Sequence, residues 1–239
     1  MERLQNKVAL ITGGSKGIGY GVAEAMLREG MKVAITSRTV AGAMDALKTL
    51  PDKGESLGLQ SDVKDLASQQ KAVDEVIKKW GKIDVLIANA GVGHFASIED
   101  MSPELWNDTI DTNLTGVFYS VKASLEALKK SQGYIITISS LAGTNFFANG
   151  SAYNASKFGL TGFTQAIMLD LRKHGIKSTT IMPGSVATYF NNHQPGPDDD
   201  WKIQIEDLGQ MVIDLLQLPA RTLPSKVEVR PTVPPSARK

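Results

Sequence analysis

Short apolar runs alternate along this chain with longer stretches in which apolar residues return every three or four positions. Seven of the short runs read as strands, over 8–11, 32–36, 56–60, 85–88, 134–138, 178–182 and 226–230. Most are apolar on both faces, which is what parallel strands covered by helices require. The longer stretches predict helices over 17–29, 40–50, 64–80, 103–130, 152–174 and 205–216. Gly30, Gly81 and Gly175 each fall just past one of these helices and before a strand, where a chain reversal favours glycine. Strands and helices alternating at these lengths imply βαβ units with right-handed crossovers. The expected fold is therefore α/β: three layers around a doubly wound parallel sheet of about seven strands.

A chain of 239 residues suits one such domain spanning 1–239. Two stretches break the pattern. Residues 189–200 are rich in Asn, Pro, Gly and Asp and read as a long loop, a short substrate lid around 189–204. The segment after Arg230 has too many prolines for regular hydrogen bonding and reads as a loose end.

Composition narrows the partners. A net charge of +1 gives no electrostatic reason to expect nucleic acid or an anionic membrane. No cysteine is present, so disulfides, thiolate metal sites and a cysteine nucleophile are excluded. The first residues are polar, and the apolar run over 8–11 stops at Thr12-Gly13-Gly14, too short for a signal core or a membrane span. A cytoplasmic location is expected.

The first strand runs into Thr12-Gly13-Gly14-Ser15-Lys16-Gly17-Ile18-Gly19. Glycines there permit positive φ and a close approach of backbone to a pyrophosphate, and the helix that follows aims free N–H groups and its positive dipole end at the same place. A plain βα turn would also use glycine; the position after the first strand and before an amphipathic helix makes the cluster the dinucleotide signature of a Rossmann fold. The second strand ends Thr36-Ser37-Arg38, without the carboxylate that would accept from the ribose hydroxyls of NAD. Arg38 and Lys16 instead place two cations where a 2′-phosphate would lie, so NADPH/NADP+ is the expected cofactor. Asp62, before Val63, suits either an acceptor for the adenine amino group or the N-cap of the helix near Lys64.

The acid/base candidates lie in the second half. Tyr153 and Lys157, four apart at a helix start, share one face. A free phenol has a pKa of about 10, and a neighbouring cation is expected to lower it toward the operating pH. A Tyr-x-x-x-Lys pair also arises by chance on surface helices. Its weight rises with Ser139 and Ser140, which end an apolar strand where open α/β sheets place their ligands; either hydroxyl suits a developing oxyanion. Asn113, inside the long predicted helix, is a poor mid-helix residue that marks a kink with a water, or else a polar face position.

These residues together resemble the short-chain dehydrogenase/reductase family in its compact, non-extended form, over nearly the whole chain. The motifs stand in order: the glycine turn from Thr12 to Gly19, Asp62-Val63, Asn89-Ala90-Gly91, Asn113 through Gly116, Ser140, Tyr153 with Lys157, and Pro183-Gly184 with Thr188. The family's serine stands thirteen residues before its tyrosine, and 153 − 13 = 140, which selects Ser140. The resemblance implies that Asn113, Ser140, Tyr153 and Lys157 are catalytic. Lys157 would bind the nicotinamide ribose, and Asn113 would anchor a water in a proton relay. It implies cofactor contacts from Gly13, Ser15, Lys16, Gly17, Ile18, Gly19, Arg38, Asp62, Val63, Asn89, Ala90, Gly91, Pro183 and Gly184. Val186 and Thr188 would reach the nicotinamide carboxamide. It also implies a homodimer or homotetramer through the helices predicted over 103–130 and 152–174.

The last strand leads into Arg230-Pro231 rather than a glycine-rich segment, an ending closer to the carbonyl-reductase and sepiapterin-reductase-like branch than to acyl-carrier reductases. His94, Phe95, Phe146, Phe147, Tyr189 and Phe190 are pocket candidates, and a hydrophobic carbonyl compound would suit them. A catalytic His94 is not expected, since Tyr153 fills that role. Asp198-Asp199-Asp200 reads as a solvated run, not a metal site, that caps the last helix. An NADPH-dependent reduction of a ketone or aldehyde is the expected activity. An NAD-linked alcohol dehydrogenase, a 3-oxoacyl thioester reductase and an idle nucleotide-sensing module are the alternatives; the last predicts decay of the four catalytic positions, which are intact.

Overall fold

The computed structural model describes residues 4–234. Seven strands form one parallel sheet: β1 (Val8–Ile11), β2 (Lys32–Ser37), β3 (Ser56–Gln60), β4 (Val85–Ala88), β5 (Tyr134–Ile138), β6 (Lys177–Pro183) and β7 (Lys226–Val229). Their order is β3-β2-β1-β4-β5-β6-β7. The apolar runs of β1, β4 and β5 are buried along their whole length, which is why their sequences show no in/out alternation. The edge strand β3 is only partly covered and correspondingly more mixed.

Helices cover both faces. On one side α1 (Gly17–Arg28), α2 (Val40–Leu47) and α7 (Ile205–Gln217) pack Val22, Met26, Ala46, Leu208 and Val212 against Ile11, Val33, Ile87 and Ile136. On the other, α3 (Leu66–Trp80), α5 (Gly116–Ser131) and α6 (Ser151–Leu171) pack Val73, Val76, Val121, Leu128 and Leu171 against Val8, Leu10, Leu86 and Ile135. The expected three-layer Rossmann arrangement is what forms. The chain reverses direction across the sheet between β1 and β4, so the connections after those two strands diverge and open a cleft at their C-terminal ends.

Several boundaries differ from the sequence reading. The helix expected over 103–130 is two: α4 (Pro103–Ile110) and α5, joined by a π-helical turn over Asp111–Thr115 in which Gly116 N–H reaches back to the Asp111 carbonyl. One inserted residue shifts the apolar pattern by a single position inside an otherwise continuous helical stretch, so it is hard to see from sequence. The helix read as starting near Lys64 starts at Leu66, with Asp65 as its N-cap accepting from Ala67 N at 2.9 Å. Asp62 is therefore not that cap; its Oδ1 accepts from Lys64 N at 2.9 Å in a turn. The helix expected over 152–174 closes with a 3₁₀ turn, Arg172–His174, before Gly175 at φ 73°. The loop over 189–200 contains two short 3₁₀ turns, Phe190–Asn192 and Pro197–Asp199. Within the tail, residues 231–234 carry no regular structure, and 235–239 lie outside the described residues. No helix among the described residues is long and apolar enough to cross a membrane.

Candidate active site

The cleft at the C-terminal edge of the sheet has a volume of about 840 Å³. Its floor is the glycine turn. Gly13 and Gly17 have φ of 64° and 59°, values that L side chains adopt only with strain. A Cβ on Gly13 would also come within 2.9 Å of the Ala90 backbone. The turn is clasped to the end of β4: Thr12 Oγ1 accepts from Asn89 N (3.1 Å) and Ala90 N (3.2 Å), while Asn89 Nδ2 donates to the Thr12 and Gly13 carbonyls. Sequence reasoning found Asn89 only through resemblance and missed Thr12, whose hydroxyl sets the spacing between the two loops.

No side chain caps α1, whereas Thr39, Asp65 and Ser102 cap α2, α3 and α4. The first-turn N–H groups of α1 thus remain available to an anion where the cleft is lined by Ser15, Lys16, Gly17 and Ile18. Arg38 and Lys16, both exposed, line the same end of the cleft with Asp62 and Val63. Val63 is buried against Gly116 at the π turn. Across from the turn, Thr188 lies 3.5 Å from where a Gly17 Cβ would stand, and Val186 is held in a bridge to Ile203. Gly184 N donates to the Val229 carbonyl at 2.8 Å, so β7 fixes the Pro183-Gly184 wall. Free helical amides on a floor open only because of glycine, with two cations lining the same cleft, fit a nicotinamide dinucleotide.

The reacting end lies between β4, β5 and α6. Lys157 is buried, and its Nζ donates to the Ile138 carbonyl at 2.9 Å, 5.7 Å from the centre of the Tyr153 ring. Desolvation pulls its pKa from the usual lysine value down to about 8. The Tyr153 phenol departs from expectation. Burial pushes its pKa up, more than the hydrogen bond with the Ser140 hydroxyl pulls it down. The lowering expected from a neighbouring cation is not what dominates, because removing the phenolate from water costs more than the partners in place return.

The two adjacent serines separate cleanly. Ser140 Oγ accepts from Ala142 N at 3.1 Å and meets the Tyr153 phenol. Ser139 Oγ faces the other way and bonds the Lys157 carbonyl and Thr161 Oγ1. Alternation along the end of β5 makes the difference. Asn113 is fully buried on the π turn; its Oδ1 accepts from Val92 N (2.8 Å), and its Nδ2 donates to the Val92 carbonyl (2.9 Å) and Ser156 Oγ (3.1 Å). It thus pins the loop after β4 to α6. Gly91 lies where a Cβ would stand 3.2 Å from Asn113 Oδ1 and 3.7 Å from Lys157 Nζ.

Two ion-paired clusters on the rim were not foreseen. His94 Nε2 and Lys64 Nζ both bind Asp108, at 2.9 and 2.8 Å, so His94 braces the loop after β4 against α4. Asp198 and Asp200 are exposed, but Asp199 is not solvated, and it caps not α7 but the start of its own 3₁₀ turn through Gly196 N (3.2 Å): it is buried and held by His193 Nε2 (2.5 Å) and Lys202 Nζ (2.6 Å). Lys202, then His193, hold its carboxyl down to about 2. Among the described residues no group of His, Cys, Asp and Glu side chains could hold a metal ion. Of the pocket candidates, Phe146 points into solvent at 87% exposure, while Phe95 and Phe190 pack on the Tyr153 ring and Phe147 packs on Phe95.

This fold and this cleft are those of a nucleotide-dependent oxidoreductase, and sequence comparison agrees. The profile described as short chain dehydrogenase matches residues 7–197. The chain belongs to the short-chain dehydrogenase family. It is 32% identical over 239 residues to an uncharacterized oxidoreductase of Staphylococcus saprophyticus, covering 97% of this chain and all of that one. It is 36% identical to the 3-oxoacyl-[acyl-carrier-protein] reductase FabG of Salmonella typhimurium over 185 residues, 77% of this chain and 75% of that one. Its structure superposes on an alcohol dehydrogenase from the archaeon Thermococcus sibiricus, complexed with 5-hydroxy-NADP, with a TM-score of 0.88 at 27% identity, covering 98% and 99% of the two chains.

Proposed function

We propose that this protein reduces a ketone or aldehyde to the alcohol with NADPH, using Tyr153 as general acid. The observation that carries this reading is the meeting of Tyr153 with Ser140 at the end of β5, beside a buried Lys157 and facing the uncapped start of α1. When bound, the dinucleotide supplies a hydride to the carbonyl carbon. The chain's residues do the rest. A phenol whose pKa is raised stays protonated at neutral pH and passes its proton to the carbonyl oxygen. Ser140, whose oxygen accepts from Ala142 N and whose hydroxyl reaches the Pro183 carbonyl only at 3.5 Å, turns that proton to the same carbonyl oxygen of the substrate as charge develops. Lys157 has one donor committed to Ile138 and others left for the cofactor ribose and the phenolate that forms. Asn113 holds the floor beside it, and we assign it the anchoring of a relay to Lys157.

Lys16, Arg38 and the first amides of α1 would hold the 2′-phosphate and pyrophosphate, with Asp62 and Val63 beside the adenine, and Val186 and Thr188 at the nicotinamide. The absence of a carboxylate at the end of β2 supports NADPH over NADH. The test mixes purified protein with NADPH and a panel of ketones, aldehydes and diketones and follows absorbance of the reduced cofactor; binding of NADPH without turnover of any member would count against the proposal. We further propose a homodimer or homotetramer on α5 and α6, supported by Phe118, Phe158 and Leu169 standing 42%, 43% and 57% exposed there. A monomer in light scattering at micromolar concentration refutes it.

A further inference from the structure

Three phenylalanines from three separate segments form one connected group beside the proposed acid: Phe95 and Phe190 lie against Tyr153, and Phe147 against Phe95. Phe95 follows β4, Phe147 precedes α6, and Phe190 begins the 3₁₀ turn over the cleft. The Phe95 ring lies 5.3 Å from the Tyr153 ring, edge-on, 5.8 Å from Phe147 and 6.4 Å from Phe190; Phe190 lies 5.7 Å from Tyr153. All three phenylalanines stay partly exposed, at 38%, 48% and 37%. Such rings left open to water beside a reacting group form an apolar wall that gains by being covered.

The wall is seated, not loose. A Cβ on Gly93 would stand 2.5 Å from Phe190 Cζ and 3.0 Å from Phe95 Cε2, so both rings rest where only a glycine leaves room. Phe147 rests likewise on Gly150, where a Cβ would stand 2.6 Å from its ring. Ala96 N donates to the Asn149 carbonyl at 3.0 Å, tying the Phe95 loop to the Phe147 loop. Buried Asn154, next to Tyr153, holds the same loop through the Ala142 and Asn145 carbonyls. The rings are thus positioned before any substrate arrives, which cuts the ordering cost of binding.

Charge points the same way. Among the described residues the basic side chains at this end of the cleft already have partners: Lys202 and His193 bind Asp199, and His94 binds Asp108. Lys157, buried beneath Tyr153, bonds the Ile138 carbonyl and turns its remaining donors to the proposed ribose and phenolate. Lys16 and Arg38 lie at the glycine-turn end. A carboxylate or phosphate on the substrate would find no unpaired partner here, and its desolvation would go uncompensated.

We propose that Phe95, Phe147 and Phe190 form a receiving site for an uncharged aryl group, so that the substrate is an aryl-bearing ketone or aldehyde. The proposal rests on the reductase reading, and the test separates the two. Phenylacetone and cyclohexylacetone share a carbonyl of similar reactivity and the same heavy-atom count, and differ in having an aromatic or a saturated ring. Binding of each to the protein with NADP+ is measured by calorimetry, and NADPH consumption with each is measured separately. Edge-to-face contacts predict a preference for phenylacetone of about three- to tenfold in Kd. In Phe95→Leu the preference falls to near parity. Gly93→Ala, which adds one methyl group against the outer edges of the Phe190 and Phe95 rings and unseats them, does the same and guards against a misfolded first variant. Equal binding of the two ketones by the unaltered protein overturns the aryl site, as does a preference undiminished in both variants. Preferential phenylacetone binding without NADPH consumption leaves the aryl site standing and sinks the reductase reading instead.

Discussion

The Lys157 ammonium donates to the Ile138 carbonyl oxygen at 2.9 Å, a bond that ties α6 to the end of β5 beneath Tyr153. Desolvation holds its pKa near 8 in the folded chain, below the 10.5 of a free lysine. A pKa depressed by folding means the protonated form is disfavoured: below pH 8 both states are charged and the full cost stands, while between about 8 and 10.5 the unfolded chain binds more protons and stability rises with pH. The cost at neutral pH is about 3 kcal/mol. Relative to Lys157→Met, the unaltered protein should therefore gain about 2 kcal/mol between pH 7 and pH 9.5 in denaturant unfolding. A pH-independent difference would show that the lysine is solvated.

Replacing the phenol by Tyr153→Phe should lower turnover by roughly two or more orders of magnitude, the usual scale for loss of a general acid, with NADPH affinity little changed. Stopped-flow turnover beside cofactor titration checks it. Equal loss in both would mean that Tyr153 holds the fold, not the proton.

Ser139 and Ser140 should diverge despite being neighbours. Ser140→Ala removes a donor at the oxyanion and should cost roughly a hundred- to a thousandfold in turnover. Ser139→Ala loses its bonds to the Lys157 carbonyl and Thr161. It should act mainly on stability, by about 1 kcal/mol. Steady-state kinetics and thermal melts on the two variants separate these outcomes.

The cofactor preference should depend on Arg38. Arg38→Asp replaces a cation beside the expected 2′-phosphate by a carboxylate suited to ribose hydroxyls, and should shift the NADPH-to-NADH ratio of kcat/KM toward NADH by about tenfold or more. An unchanged ratio would remove Arg38 from the cofactor site.

Asp199 anchors the loop over 189–204 through His193 and Lys202. Its pKa, held down to about 2, means this anchoring is present above the ordinary carboxylate range and is lost only as pH falls toward 2. Asp199→Asn should speed limited proteolysis within 189–204 at neutral pH, while the unaltered loop should stay protected down to about pH 4.

What the sequence disclosed and what it withheld divide along physical lines. β1, β4 and β5 were legible because full burial leaves an unbroken apolar run, and the glycine turn because backbone geometry there excludes side chains. The capping aspartate was ambiguous, since Asp62 and Asp65 both stand within a turn of the helix start and only the backbone decides between them. Asp199 looked solvated because its partners, His193 and Lys202, gain meaning only when the loop folds back. The tyrosine's pKa was misjudged in direction: sequence shows a lysine one turn away but not the desolvation both groups share. The wall of Phe95, Phe147 and Phe190 joins segments far apart in the chain, which no local pattern reports.

The π turn over Asp111–Thr115 carries a consequence for any attempt to shorten or graft this region. Deleting one residue there would leave a straight, well-formed α-helix in which α4 and α5 keep nearly the same faces, because the wide turn absorbs the extra residue. Buried Thr109 would keep its packing and Asp108 its hold on Lys64 and His94, whereas the Asn113 amide, on the turn itself, would no longer meet Val92. Transplanting helices between this chain and a bulge-free relative thus demands a matching shift in numbering, however good the end-to-end overlay.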